Sequence, residues 1–334
     1  MRRFVLSAFG LANLKLEESA APTPGPGEVR VDLRAMSLNF RDLMVIEGVY
    51  NAKLRLPVTP ISDGAGVVSA VGAGVTDWKL GDQVMGVFSP DWRDGPYRME
   101  QLKTTLGTPG PGWASEQVVL PGHALLRIPQ GYDFMQAATL PIAAVTAWSA
   151  LQAGGAAAGS TVLTLGTGGV AIFTLQIAKA LGCKVFITSS SDEKLARARE
   201  LGADVRINYR STPKWEDAVV EQTGGLGVDV TVETGGGGTL NQSLTATRAG
   251  GTVSLLGALT GLNAQVNAGA VIMKQIRIAG IMVGSRAGFE KLIGFLTTRK
   301  ISPVIDRRYA FEQLPEALAA MKAAGHLGKI VIKS

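Results

Sequence analysis

The stretch Thr161–Gly182, TVLTLGTGGVAIFTLQIAKALG, decides how the rest of the chain is read. It opens on a β-branched apolar run, passes a knot of glycines and continues as an apolar helix. Gly166, Gly168 and Ala171 fit the pattern G-x-G-x-x-G/A between an expected strand and an expected helix, the context that gives the pattern meaning. The first glycine permits a tight turn, the second lets backbone approach a pyrophosphate, and the small third residue allows close helix–strand packing. Around Thr167, Gly169 and Val170 the helix start then offers unpaired N–H groups and a partial positive charge to an anion. A plain strand-to-helix turn has the same outline, so the surrounding sequence must arbitrate.

Downstream, strands and helices alternate. CKVFITS is followed by SDEKLARARELG, VRIN by KWEDAVVEQTG, VDVTVE by TLNQSLTATRAG, and GTVSLLG by further β-rich sequence ending in IRIAGIMV. Such alternation predicts a parallel sheet with helices on both faces. Two more helices are expected around Ala287–Arg299 and Gln313–Ala324, then a last strand KIVIK. The first third instead alternates with period two, as in EVRVDLRAM, which puts Val29, Val31 and Leu33 on one face of a β-rich, barrel-like domain. Ser89–Gly112 is a long polar excursion there, expected as a lobe or lid rather than core.

Length and composition bound the function. A chain of 334 residues with 46% hydrophobic content supports two globular domains. Its single cysteine, Cys183, excludes an internal disulfide framework and fits a reducing cytoplasm. The net charge of +6 is scattered, without a basic helix or zinc finger, so a nucleic-acid partner is not expected. The uncharged run Phe134–Ala178 is broken by Pro141 and glycines and leaves no membrane-spanning helix.

Which dinucleotide is bound follows from the end of the second strand of this alternation. An acidic residue there would grip the ribose 2′-hydroxyl of NAD. This chain places Thr188, Ser189, Ser190 and Ser191 there, with Lys194 just beyond and Tyr209 and Arg210 after the next strand. Hydroxyls donate to a 2′-phosphate and a lysine neutralises it, so NADP(H) is preferred, with NAD(H) the alternative. Ser190 also reads as a helix cap, with Glu193 completing a capping box.

The order of motifs resembles the medium-chain dehydrogenase/reductase superfamily, in particular its zinc-independent quinone-reductase-like and alcohol-dehydrogenase-like members. The resemblance runs from PGPGEVRVDLRAMSLNFRDLMVIEGVY through SDGAGVVSAVGAGV, AATLPIAAVTAWSAL, the glycine knot, SSSDEKL, LGADVRINYR, GALTG and GSRAGFE to GHLGKIVI. It implies an α/β fold: a Rossmann doubly wound parallel sheet (126–286) inserted in a GroES-like β-barrel catalytic domain (1–125 with 287–334), and a substrate cleft between them. Where zinc-dependent relatives hold their metal, the matching positions here are Asn39, Ser62-Asp63 and Ile142. These cannot assemble a thiolate–imidazole–carboxylate set, so no zinc is expected.

Without a metal to stabilise an alkoxide, an enone or quinone that delocalises the incoming electron pair is the favoured acceptor. The alternatives are a zinc-free alcohol dehydrogenase and an NADPH-binding structural or sensor protein with little turnover. Asn39 and Asp42 match the family's Asn-x-x-Asp; Asn39 bonds substrate or ribose, or simply fixes a turn. Tyr50 matches a cleft tyrosine, either a hydrogen-bond donor to an oxyanion or a packing aromatic. Arg41, near the proton-relay position of zinc enzymes, contacts an anionic group or the cofactor. For the nicotinamide end the resemblance implies Thr146, Thr234, Gly235, Gly257, Ala258, Leu259, Val283, Gly284 and Lys329. It also implies that the strand IRIAGIMV pairs two chains in a homodimer, whose exposed apolar edge would otherwise be a liability.

Overall fold

A computed structural model describes residues 1–334. They divide into two compact units, Met1–Ala143 with Gly284–Ser334, and Ala144–Val283. The first begins with β1 (Arg2–Leu6), β2 (Leu14–Glu18), β3 (Glu28–Ser37), α1 (Phe40–Ile46), β4 (Asp63–Val71), β5 (Gln83–Gly86), β6 (Gln117–Pro121), β7 (Leu125–Arg127) and α2 (Phe134–Ala138). The second contains α3 (Val145–Ala153), β8 (Thr161–Thr164), α4 (Gly169–Leu181), β9 (Lys184–Ser189), α5 (Asp192–Glu200) and β10 (Val205–Asn208). It continues with α6 (Trp215–Gln222), β11 (Val228–Glu233), α7 (Leu240–Ala246), β12 (Thr247–Leu255), α8 (Ala268–Lys274) and β13 (Arg277–Gly280). The chain then returns to the first unit as α9 (Arg286–Arg299), β14 (Ile305–Ala310), α10 (Leu314–Lys322) and β15 (Lys329–Lys333).

In the first unit the period-two pattern of β3 buries Val29, Val31 and Leu33, and β3 pairs antiparallel with β4, β6 and β15. The seven-stranded sheet runs β14-β15-β3-β4-β5-β7, with β6 off that path. The indole of Trp113, fully buried, lies over Gly64: a Cβ built there would fall 2.2 Å from its ring. The polar excursion divides in two. Residues from Asp91 to Lys103 are mostly exposed, as a lobe should be, but Thr105–Thr108 turn back into the core and Leu106 is only 1% exposed. Apolar burial of Leu106 outweighs the polar character of its neighbours.

The second unit is a six-stranded parallel sheet in the order β10-β9-β8-β11-β12-β13. Strand order therefore reverses between β8 and β11, and a crevice forms at the carboxyl ends of strands where a doubly wound sheet changes direction. The inner strands β8, β9 and β11 are buried on both faces along nearly their whole length, whereas the edge strands β10 and β13 are not. Two details depart from the sequence reading. The helix of TLNQSLTATRAG stops at Ala246, because Thr247 already opens β12, whose pairing with β11 shifts register between Val228 and Val230. The β-rich stretch expected before IRIAGIMV contains helix α8, started by the Asn267 side chain, which accepts from Ala270 N–H. No helix of the chain is long and apolar enough to cross a membrane.

Close strand contact makes one glycine of the first unit indispensable. A Cβ on Gly66 would lie 2.1 Å from the Asp32 carbonyl oxygen on the adjacent β3. Gly66→Ala is expected to lower stability by about 3 kcal/mol or more through forced strand separation, read as a shifted denaturation midpoint; a wild-type midpoint would refute it.

Candidate functional site

In the first unit, the residues matched to a metal site form a buried hydrogen-bonded cluster. Asn39 precedes α1, and its backbone N–H donates to the Asp42 carboxylate at 2.8 Å, half of a capping box. Its side-chain amide faces two ways. Nδ2 donates to Asp63 Oδ2 at 2.8 Å, and Oδ1 accepts from the Lys329 ammonium at 2.6 Å. Lys329 also donates to the Leu38 carbonyl at 2.7 Å, and Ile142 N–H reaches Asp63 Oδ2 at 3.4 Å. Asp63 Oδ1 is buried without a hydrogen-bond partner. Ile61, just upstream, adopts φ +77°, a costly conformation for a β-branched residue, and the turn it makes leads Ser62 and Asp63 into the interior.

Arg41 closes the other side. Asp42 Oδ1 accepts from Ser62 N–H and Oγ–H at 3.0 and 2.7 Å, and Ser62 Oγ accepts from Arg41 Nη1 at 2.5 Å. Arg41 Nη2 reaches the Thr108 carbonyl at 2.6 Å, and the guanidinium carbon lies over the rings of both Tyr50 (4.5 Å) and Phe88 (5.0 Å). Such stacking needs a planar, weakly hydrated cation, which lysine would not supply. Tyr50 is half-buried, and its hydroxyl makes no hydrogen bond within the protein.

Three charged side chains, Asp42, Asp63 and Lys329, are thus taken out of water. Burial pushes the Asp63 carboxyl up to about 7, against the opposing pull of Lys329 and Asn39, with Asp42 adding to the rise. Burial raises Asp42 in the same sense, resisted chiefly by Arg41, and lowers Lys329. The charges compensate one another through the amide between them, while Asp63 Oδ1 stays without a partner, in keeping with the upward pull of burial on that carboxyl.

In the second unit the glycine knot is fastened from both neighbouring strands. Gly166 (φ +74°) donates its N–H to Thr188 Oγ1 at 3.1 Å, and Thr234 Oγ1 donates to the Leu165 carbonyl at 2.7 Å. At Gly168 the backbone is ordinary (φ −75°), and a Cβ built there would meet no protein atom within 4 Å. Thr167 is buried; Gly169 and Val170 open α4. At the end of β9, Ser189 is buried and its Oγ accepts from Ser191 N–H at 3.3 Å. The cap of α5 is Ser191, accepting from Lys194 N–H, and not Ser190: the helix starts one residue later than the sequence suggests, and Lys194 rather than Glu193 stands third. Ser190 is left half-exposed. Asp192, an acid close to this corner, is tied to Asn208 Nδ2 at 2.8 Å, and Tyr209 and Arg210 are exposed beside it.

The loops after β11 and β12 are laced together. Thr260 N–H and Oγ–H both donate to the Gly235 carbonyl, at 2.8 and 2.9 Å, and Gly238 N–H donates to Thr260 Oγ1 at 2.8 Å. Gly257 presses so closely on Thr234 that a Cβ would fall 2.0 Å from its carbonyl carbon. Ala258 is half-buried and Leu259 is 58% exposed. Thr146 is buried in α3; Val283 (φ +48°) and Gly284 mark where the chain leaves the second unit. Lys329, expected among the nicotinamide residues, is 2% exposed and directs its ammonium into the Asn39 cluster. Sequence reasoning did not single out Glu233, Thr239 or Thr260; the acid and threonine flanking TGGGG were the available signal for the first two, and Thr260 lies within GALTG after the next strand.

Residues 25–130 match the alcohol dehydrogenase GroES-like domain family, and residues 169–298 match the zinc-binding dehydrogenase family. A zinc-type alcohol dehydrogenase-like protein of Schizosaccharomyces pombe is 40% identical over 332 residues, spanning 97% of this chain and 96% of its own. Among solved structures, a Sinorhizobium meliloti protein provisionally assigned as an alcohol dehydrogenase superposes with a TM-score of 0.92 at 42% identity, over the whole of both chains. A quinone oxidoreductase from Pseudomonas syringae superposes with a TM-score of 0.86 at 29% identity, over 100% of this chain and 99% of its own.

The buried Asp63 carboxyl makes stability depend on pH. Between the ordinary 3.8 and about 7 the folded chain keeps a proton that the unfolded chain has lost. Its contribution therefore favours folding at acid pH, declines as pH rises through that window and is flat above it. Asp63→Asn, facing the same Asn39, Lys329 and Asp42, is expected to remove that decline from a plot of melting temperature against pH; parallel plots for variant and wild type would refute it.

Proposed function

This chain belongs to the medium-chain dehydrogenase/reductase superfamily, and we propose that within it the chain is an NADP(H)-dependent, metal-independent reductase of quinones or α,β-unsaturated carbonyls. One observation carries the reading. At the positions where zinc enzymes gather ligands, this chain brings an amide, a hydroxyl, one carboxylate and an aliphatic side chain, with the Lys329 ammonium 2.6 Å from the amide oxygen. Zinc requires several thiolate, imidazole or carboxylate donors converging on one point. An ammonium at the same cluster repels a dication, so the residues present do not fit the metal. No group of three or more His, Cys, Asp or Glu side chains is arranged to hold an ion. The zinc-binding dehydrogenase match at 169–298 includes none of these four positions.

The dinucleotide fits better. Gly168 has a backbone any residue adopts and room for a Cβ, so the fold itself does not demand glycine there. A ligand passing close to the backbone does, as a pyrophosphate at the start of α4 requires. Ser190 and Ser191 supply hydroxyls for a 2′-phosphate, Lys194 and Arg210 supply positive charge, and the nearby Asp192 is engaged by Asn208. When bound, the reduced nicotinamide supplies a hydride to the activated acceptor. Tyr50 then donates from its unengaged hydroxyl to the oxygen that gains charge, and Arg41 behind its ring holds the phenol in place. Asn39, braced between Lys329 and Asp63, fixes the start of α1 from which Arg41 and Asp42 extend.

In a second reading the chain is an alcohol dehydrogenase working without zinc; the names of the similar proteins from yeast and Sinorhizobium support the alcohol dehydrogenase part, the yeast name being zinc-type, and the Asn39 cluster supports the absence of the metal. Steady-state assays with panels of quinones, enones and saturated alcohols, with and without chelator, separate the two. We expect NADPH-driven reduction of the activated acceptors, insensitive to chelation, and a fall in kcat/KM for NADPH of about tenfold or more in Ser190→Asp through like-charge repulsion. Turnover confined to saturated alcohols, or needing stoichiometric zinc, overturns the proposal.

Strand β13 is an outer edge of its sheet, and Ile272 and Met273 on the preceding α8 are 71% and 84% exposed. An unpaired edge beside exposed apolar side chains is suited to a second copy of the chain. Light scattering at micromolar concentration is expected to give the mass of a dimer; a monomer counts against it.

A further inference from the structure

The second unit buries one carboxylate that no cation accompanies. Glu233 ends β11, at the point where strand order reverses, and is 0% exposed. Its Oε1 accepts from Gly235 N–H (2.6 Å), Gly236 N–H (2.9 Å) and Thr239 Oγ1 (2.8 Å), and Oε2 accepts from Ser243 Oγ. Its backbone carbonyl accepts from Leu256 N–H (3.1 Å) and Gly257 N–H (2.9 Å). One residue therefore fixes both the four-glycine turn after β11 and the start of the loop after β12. A buried charge held only by neutral donors is expensive, since no counter-charge offsets its lost hydration. Glutamine at 233 could keep these bonds by presenting its carbonyl oxygen to the turn and its amide to Ser243, so shape alone does not require the charge.

Resting on the assignment of these loops to the nicotinamide end of the dinucleotide, we propose that Glu233 is a positioning residue whose negative charge also biases binding toward the oxidised ring. The oxidised nicotinamide is a cation and the reduced ring is neutral. An anion buried beneath the loops stabilises the first relative to the second, because in a water-poor interior Coulomb attraction is weakly screened. Hydride donation turns the neutral ring into the cation, so the same charge favours the direction of reduction. The bias acts on the difference between two ligands of nearly identical shape, which a purely structural role would leave unchanged.

Calorimetry with NADP+ and NADPH, and with NAD+ and NADH in parallel, tests this on wild type, Glu233→Gln and Glu233→Asp. In Glu233→Gln the Kd for the oxidised form is expected to weaken relative to the reduced form, their ratio moving on the order of tenfold. An unchanged ratio overturns the proposal. Glu233→Asp keeps the charge but withdraws it from the turn by one methylene, and is expected to weaken both forms with their ratio preserved. If Glu233→Gln does not fold, Glu233→Asp binding both forms as tightly as wild type overturns the proposal. Wild-type protein that binds no dinucleotide refutes the loop assignment itself, an outcome distinct from either variant's.

Discussion

The side-chain amide of Asn39 accepts from an ammonium on one side and donates to a carboxylate on the other, and the first unit is organised around that bridge. Lys329 and Asp63 form no direct ion pair, so each charge is stabilised through the amide dipole between them. The bridge joins the last strand, the lead-in to α1 and the first residue of β4, three segments remote in sequence. Burying three ionisable groups costs several kcal/mol apiece unless hydrogen bonds offset it, and all but one oxygen of the two carboxylates, Asp63 Oδ1, find a partner. That demand explains the density of restraint nearby: the strained Ile61, the reciprocal contacts of Asp42 with Asn39 and Ser62, and the stacked Arg41.

The second unit solves a different problem with the same economy of means. Parallel strands leave polar backbone groups at their carboxyl ends, and any crevice there must present some of them to a ligand while satisfying the rest. Threonine hydroxyls at 188, 234 and 260 and the carboxylate of Glu233 take up the inward-facing groups. The glycine knot and the loops after β11 and β12 are thereby held without side chains crowding the crevice. In the glycine knot, Gly168 is a glycine that neither a positive φ nor an intramolecular contact explains.

Much of this was legible in the sequence because it follows short-range rules. Period-two burial marked β3, alternation marked the parallel sheet, and the glycine spacing marked the tight turn between β8 and α4. The family match followed from the order of those motifs. What escaped notice was governed by partners far along the chain. Nothing local to GHLGKIVI says that Lys329 turns inward, since its partners lie at Leu38 and Asn39. Nothing local to the polar excursion says that Thr105–Thr108 return to support Arg41. The one-residue slide of the α5 cap from Ser190 to Ser191 is a choice among adjacent serines, made by where β9 ends rather than by propensity.

The discontinuity of the first unit has a consequence for biosynthesis. Asn39 and Lys329 are separated by 290 positions, and at ~5–20 residues per second the ribosome delivers the lysine tens of seconds after the asparagine. Throughout that interval Asn39 and Asp63 lack the cation that completes their cluster, and β3 lacks the neighbour that β15 provides. Residues 144–283, contiguous and self-contained in their sheet, face no such delay. During translation the second unit therefore has all six of its strands available before the amino-terminal segment receives the last strand of its own sheet.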